Sequence, residues 1–123
     1  MKKQPRISPA EWRVMKVVWA SSPILASQVI AGLCTDKKWH SKTIRTLLAR
    51  LVKKRALGFE QQGRAYLYRP LVKEEDCIRS ASQTFLDRIF DGQLVPMISH
   101  FLENRTLSAG EKRELQSLLR GKS

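Results

Sequence analysis

The chain has 123 residues, 42% of them hydrophobic, and a formal net charge of +12. That length suits one domain or a small domain with an appendage, and the sequence lacks both a run of about 18 apolar residues and a signal-peptide hydrophobic stretch. The charge is confined to one half: residues 1–70 hold 15 Lys+Arg against 3 Asp+Glu (Glu11, Asp36 and Glu60), whereas residues 71–123 hold 8 of each sign.

In chain order, Ser8-Pro9-Ala10-Glu11 joins a capping box to Pro at the first helical position, and Trp12, Met15, Val18 and Trp19 supply a buried face. A first helix is expected over about 9–19. Ser21-Ser22-Pro23 ends it, and Val29, Ile30 and Leu33 mark a short second helix near 26–34.

A third helix, 41–54, carries most of the functional information. Ile44, Leu47, Leu48, Leu51 and Val52 recur at helical spacing and, at about 100° per residue, gather into one apolar stripe. The opposite face carries Lys42, Thr46, Ala49 and Lys53, flanked by Thr43, Arg45 and Arg50. Ser41 is expected as N-cap, which leaves Lys42, Thr43, Arg45 and Thr46 at the free N-terminal end. Such a helix suits the DNA major groove, where these groups reach base edges and phosphates. A solvated basic face would look similar in isolation, but charge confined to one domain builds a field that attracts a polyanion and releases its counterions.

Two strand-like runs follow, Leu57–Gln61 and Ala65–Arg69, separated by Gln62-Gly63-Arg64, a hairpin signal with Gly at the turn. A hairpin behind a third helix is a wing, and Arg64 at its tip is placed to reach a phosphate. After Pro70 the pattern is helical again. Ile78, Ala81, Phe85, Leu86, Ile89 and Phe90 share a face of a helix near 73–90, closed by Asp91-Gly92. Leu94, Val95, Ile98, Phe101 and Leu102 form a second apolar group in which Pro96 belongs in a first turn. A last helix opens at the capping box Ser108-Ala109-Gly110-Glu111 and presents Leu115, Leu118 and Leu119.

The expected fold is therefore mainly α with a small β wing: a winged helix-turn-helix DNA-binding domain over 1–70 and a three-helix dimerisation domain over 71–123. Three short helices have more large apolar residues than their own interior needs, which argues for a homodimer rather than packing back onto the first domain. Ile78, Phe85, Ile89, Leu94, Ile98, Phe101, Leu115, Leu118 and Leu119 are the expected contacts.

Other chemistries find little support. Cys34 and Cys77 have no second Cys or His at zinc-like spacing and read as buried or half-buried thiols, so neither a metal nor a cofactor is expected. There is no Gly-rich phosphate loop and no His-Glu-x-x-His, and the two histidines lack a nucleophile or paired carboxylate, so catalysis is not expected. No lipidation signal accompanies the opening Met-Lys-Lys-Gln-Pro-Arg, and a cytoplasmic protein without membrane insertion is expected. The alternative class is a winged-helix module that grips RNA or an acidic protein without reading sequence.

Ser8-Pro9-Ala10-Glu11-Trp12 with Trp19, followed by Trp39 leading into Lys42-Thr43-Ile44-Arg45-Thr46-Leu47 and Arg50-Leu51, closely resembles the penicillinase repressor family (BlaI/MecI), which includes copper-responsive members. The resemblance spans nearly the whole chain. It implies a dimeric bacterial repressor whose winged helix binds a dyad-symmetric DNA operator and whose C-terminal helices interlock two subunits. It places recognition-helix contacts on Lys42, Thr43, Arg45 and Thr46. Members commonly end this helix with Gly where Arg55 stands here, so Arg55 must accept that conformation or shift the helix end. The cysteine cluster of the copper-responsive branch is absent. In the β-lactam branch a sensor protease cuts ahead of a Phe, and the matching bond here is His100–Phe101, with His100 in place of the usual Asn.

Overall fold

The computed structural model describes residues 4–34 and 39–121. Its elements are α1 (Pro9–Ser21), β1 (Ile24–Leu25), α2 (Ala26–Leu33), α3 (Ser41–Lys53), β2 (Leu57–Gln62), β3 (Ala65–Pro70), α4 (Glu74–Phe90), α5 (Leu94–Glu103) and α6 (Ala109–Gly121). They fall into two compact units, Met1–Ala81 and Ser82–Ser123.

The first unit is a winged helix. α1 starts at the expected capping box: the Glu11 N–H donates to Ser8 Oγ at 3.2 Å, and the Ser8 N–H donates to Glu11 Oε1 at 2.8 Å. These bonds satisfy orphan groups of the first turn, and Pro9 already has the φ of a helix. β2 and β3 pair antiparallel from Leu57↔Pro70 to Gln62↔Ala65, closing a two-residue turn at Gly63-Arg64. Gly63 takes φ 62 there, which glycine adopts at no steric cost. β1 adds a third strand, giving the order β1-β3-β2. The sequence offered no sign of β1, since two residues show no alternation and its pairing, Ile24↔Tyr68 and Leu25↔Leu67, is wholly long-range.

The core lies where α1, α2 and α3 meet the sheet. Val14, Met15, Val18, Val29, Ile44, Leu48, Leu51 and Leu57 are sealed from solvent, and Tyr68 closes the edge. At roughly 1.5–3 kcal/mol for each fully buried large apolar side chain, this cluster is the main stabiliser of the unit.

The sheet ends at Pro70, but the compact unit runs on to Ala81 inside α4. The opening turns of α4 and the residues before them are tied to α1 and the N-terminal segment. Trp19 Nε1 donates to Val72 O at 3.0 Å, Lys16 Nζ pairs with Glu74 Oε2 at 2.6 Å, and Cys77 is buried with its Sγ 3.8 Å from Gln4 Oε1. Burial, then the neighbouring Asp76 carboxylate, pushes the Cys77 thiol pKa up.

The second unit has a different character. Pro96 lies in the first turn of α5, where its missing N–H is harmless. The capping box of α6 forms, with the Glu111 N–H donating to Ser108 Oγ at 3.1 Å and the Ser108 N–H to Glu111 Oε1 at 3.0 Å. Phe85 and Phe101 stack with centroids 6.4 Å apart, and Phe90 and His100 meet at 6.1 Å. Yet no described residue from Ser82 to Gly121 is fully buried.

Candidate nucleic-acid interface

α3 divides as its periodicity dictates. Ile44, Leu47, Leu48 and Leu51 are buried and Val52 is half-buried, while Lys42, Thr43, Arg45, Thr46, Arg50 and Lys53 are all exposed along the opposite side. Arg64 is exposed at the tip of the hairpin. Among the described residues, Lys42, Arg45, Arg50, Lys53 and Arg64 form no ion pair with an acidic side chain. Their field is thus available to an external polyanion.

The N-terminal end of α3 differs from expectation in one respect. His40, not Ser41, is the N-cap: it has extended backbone at φ −103° and ψ 150°, and its carbonyl accepts the Ile44 N–H at 3.2 Å. Ser41 is already helical, and no side chain caps the first turn. The positive end of the helix dipole therefore stands beside Lys42 and Thr43, with no acid in that turn to offset it. Thr46 Oγ1 donates to Lys42 O at 3.0 Å, so its hydroxyl proton is engaged and the side chain offers a methyl group and acceptor lone pairs.

Lys54 faces away from that surface. Its ammonium donates to the backbone carbonyl of Arg6 at 2.8 Å and to Glu11 Oε1 at 2.5 Å. Burial alone would raise the Glu11 pKa, but the Lys54 ammonium and the Ser8 N–H and hydroxyl together hold the carboxyl below its ordinary range. Glu11 thus caps α1 and also clamps the end of α3, a link that two residues 43 apart in sequence do not announce.

The turn out of α3 accommodates Arg55 directly. Arg55 takes φ 65; its N–H donates to Val52 O at 3.0 Å, and the Ala56 N–H donates to Leu51 O at 2.9 Å. This is the Schellman arrangement that usually places glycine at the left-handed position. The helix end does not shift, and Ala56 and Leu57 enter the core.

The wing carries aromatic residues whose roles the sequence left unassigned. Phe59, Tyr66 and Tyr68 form a contiguous group on one face of the hairpin. The signal was present in the strand alternation, but the register that brings Phe59 beside both tyrosines emerges only on pairing.

In the second unit, Phe85, Ile89, Leu94, Phe101, Leu118 and Leu119 are exposed and Ile98 and Leu115 are half-buried; Ile78, on the α4 segment of the first unit, is also exposed. His100 and Phe101 lie exposed in the C-terminal half of α5. Among the described residues no group of His, Cys, Asp and Glu is arranged to hold a metal ion, and no helix is long and apolar enough to cross a membrane.

Comparison with known proteins agrees with this architecture. A family profile described as "Penicillinase repressor" matches residues 7–121. The penicillinase repressor of Bacillus licheniformis is 45% identical over 119 residues, covering 97% of this chain and 93% of that protein. The methicillin resistance regulatory protein MecI of Staphylococcus aureus strain N315 is 34% identical over 116 residues, covering 94% of each. Among solved structures, the DNA-binding domain of the repressor BlaI is 47% identical with a TM-score of 0.55, covering 62% of this chain and 93% of that one. Bacillus licheniformis BlaI, solved as a monomeric form in complex with the blaP half-operator, is also 47% identical with a TM-score of 0.54 and the same coverage. The winged-helix geometry, the exposed basic face of α3 and a match along nearly the whole sequence establish that the chain belongs to the penicillinase repressor family.

Proposed function

We propose that this protein is a transcriptional repressor that binds a dyad-symmetric DNA operator as a homodimer, with α3 in the major groove and Arg64 on a phosphate. The observation that carries the reading is the uncompensated face of α3, where Lys42, Thr43, Arg45 and Thr46 stand exposed beside an uncapped helix N-terminus. The relative solved in complex with a half-operator supports operator DNA as the ligand. Arg45 bonds a guanine bidentately, whereas Lys42 acts as a phosphate clamp. Selection of bound duplexes from a random pool yields one palindromic site, and titrations on it separate the two roles. Arg45→Ala loses about 1–3 kcal/mol and relaxes specificity at one base pair, while Lys42→Ala weakens all duplexes and lowers the salt dependence. Equal losses for both variants on every duplex would remove Arg45 from base readout.

The second copy covers the exposed apolar residues of α4, α5 and α6. From Ser82 to Gly121 no described residue is buried, so this segment lacks the interior that would order it, and pairing supplies one. Repression ends when a sensor protease cuts His100–Phe101. The bond is exposed and lies near the C-terminal end of α5, where Asn104 Nδ2 donates to His100 O at 3.0 Å and the Asn104 N–H to Phe101 O at 3.3 Å. Cleavage would detach α6 and with it Leu115, Leu118 and Leu119. Mass spectrometry of the protein from β-lactam-challenged cells tests this route; intact chain while target genes are induced would exclude it.

A further inference from the structure

Residues two apart in a strand share a face, and the register sets Phe59 opposite Tyr68 and Gln61 opposite Tyr66. One face of the hairpin therefore begins in the core, with Leu57 and Tyr68 at 1% and 8% exposure, and continues outward to Phe59 and Tyr66 at 45% and 41%. The outward pair is ordered: the Phe59 and Tyr66 rings meet edge to face with centroids 4.7 Å apart, and both contact Tyr68, at 5.9 and 6.5 Å. Tyr66 has no hydrogen-bond partner for its phenol among the described residues. A preformed apolar step left in water marks an interaction surface.

Its surroundings select the occupant. α3 packs against β2, and the Arg45 guanidinium and the Tyr66 phenol both act electrostatically on the Tyr68 hydroxyl, whose pKa burial pushes up. The aromatic step is thus continuous, through Tyr68, with the part of the hairpin that packs into the core beside α3, and Arg64 stands at the far end of the hairpin. Glu60, the one acid on the hairpin, belongs to the opposite face, 3.4 Å from Arg69. Cations without acids favour a polyanion over an apolar protein surface.

We infer that Phe59 and Tyr66 seat the sugar–phosphate backbone beside the groove that α3 occupies, Tyr66 donating its phenol to a phosphate oxygen and Phe59 bracing that ring against the deoxyribose. This rests on the DNA-binding reading above. The full-length protein and its Tyr66→Phe, Phe59→Ala and Arg64→Ala variants are titrated on the selected operator and on random duplex across a salt series, with thermal melts as a folding control. Tyr66→Phe keeps the ring and loses only the donor, so it weakens both duplexes about tenfold, the scale of a hydrogen bond to a charged group. It leaves the slope of log affinity against log salt unchanged, because a neutral donor displaces no counterion, whereas Arg64→Ala lowers that slope by about one. Phe59→Ala reproduces the loss by freeing the Tyr66 ring. Parental affinity on both duplexes for Tyr66→Phe, or a loss confined to the operator with random duplex unaffected, overturns the inference. A parent protein that does not prefer its operator overturns the repressor reading instead, and the wing contact is still decided on random duplex.

Discussion

The two units of this chain invert each other. The first holds 17 Lys+Arg against 6 Asp+Glu, +11 of the net +12, and seals a core where three helices meet a sheet; the second holds 6 against 5, +1, and leaves Phe85, Ile89, Leu94, Val95, Phe101, Leu102, Leu118 and Leu119 exposed. Similar helix signals, including a capping box in each, thus led to opposite outcomes. Burying an apolar stripe takes an opposing surface, and the hairpin and α1 supply one in the first unit. From Ser82 onward α4, α5 and α6 bury no described residue, and the proposed second copy would supply the opposing surface. The first unit has its own core and presents charge; the second presents apolar surface.

The sharpest way to break this contrast is to separate the units. A fragment of residues 1–81, ending at the compact boundary rather than at Pro70, is expected to fold and to bind the operator 10²–10⁴-fold more weakly, roughly the avidity lost with the second recognition helix. Fluorescence anisotropy with a labelled operator measures it; a fragment that binds as tightly as the intact chain would refute the dimer argument. Next in size are core truncations on the two sides. Leu51→Ala, at a fully buried site, is expected to cost about 2–5 kcal/mol regardless of protein concentration. If the exposed Leu118 packs on a second copy as proposed, Leu118→Ala lowers the melting temperature in a concentration-dependent way. Melts at two concentrations distinguish these.

The Glu11–Lys54 clamp gives a smaller, pH-dependent difference. The Glu11 pKa is lowered in the folded state, so its contribution to stability is fully present above the ordinary carboxylate range and is lost as pH falls through the depressed native value. Glu11→Gln should flatten the acid limb of stability for the first unit, seen in denaturant titrations from neutral to acid pH; an unchanged acid limb would show that the clamp does not matter. The smallest effect belongs to Arg55. Arg55→Gly relieves a left-handed residue at φ 65, a conformation that costs L-residues about 1–2 kcal/mol, offset in part by the freer unfolded chain of glycine. A net gain of about 0.5–1 kcal/mol is expected, with no change in operator affinity if the wing already sits as it does with glycine.

Much of this was legible because it is local. The capping boxes at Ser8 and Ser108, the buried stripe of α3 and the glycine turn of the hairpin depend on neighbours within a few residues, and the winged-helix architecture follows from their order. The exposed placement of Lys42, Thr43, Arg45, Thr46, Arg50, Lys53 and Arg64 was legible for the same reason, since a helix with one apolar side leaves the other outward.

Tertiary structure alone decided what depends on distant partners. It added β1 to the sheet, paired Lys54 with Glu11, drew the start of α4 into the first unit through Trp19 and Val72, and moved the cap of α3 from Ser41 to His40. It also turned an alternation of aromatics into one step running out from Tyr68, because strand register is set by pairing across the turn and not within either strand. The sequence by itself determined which side chains are apolar, charged or capping and at what period they recur. Which of them meet was left to packing, because burial and ion pairing depend on surfaces that exist only once the chain has closed on itself.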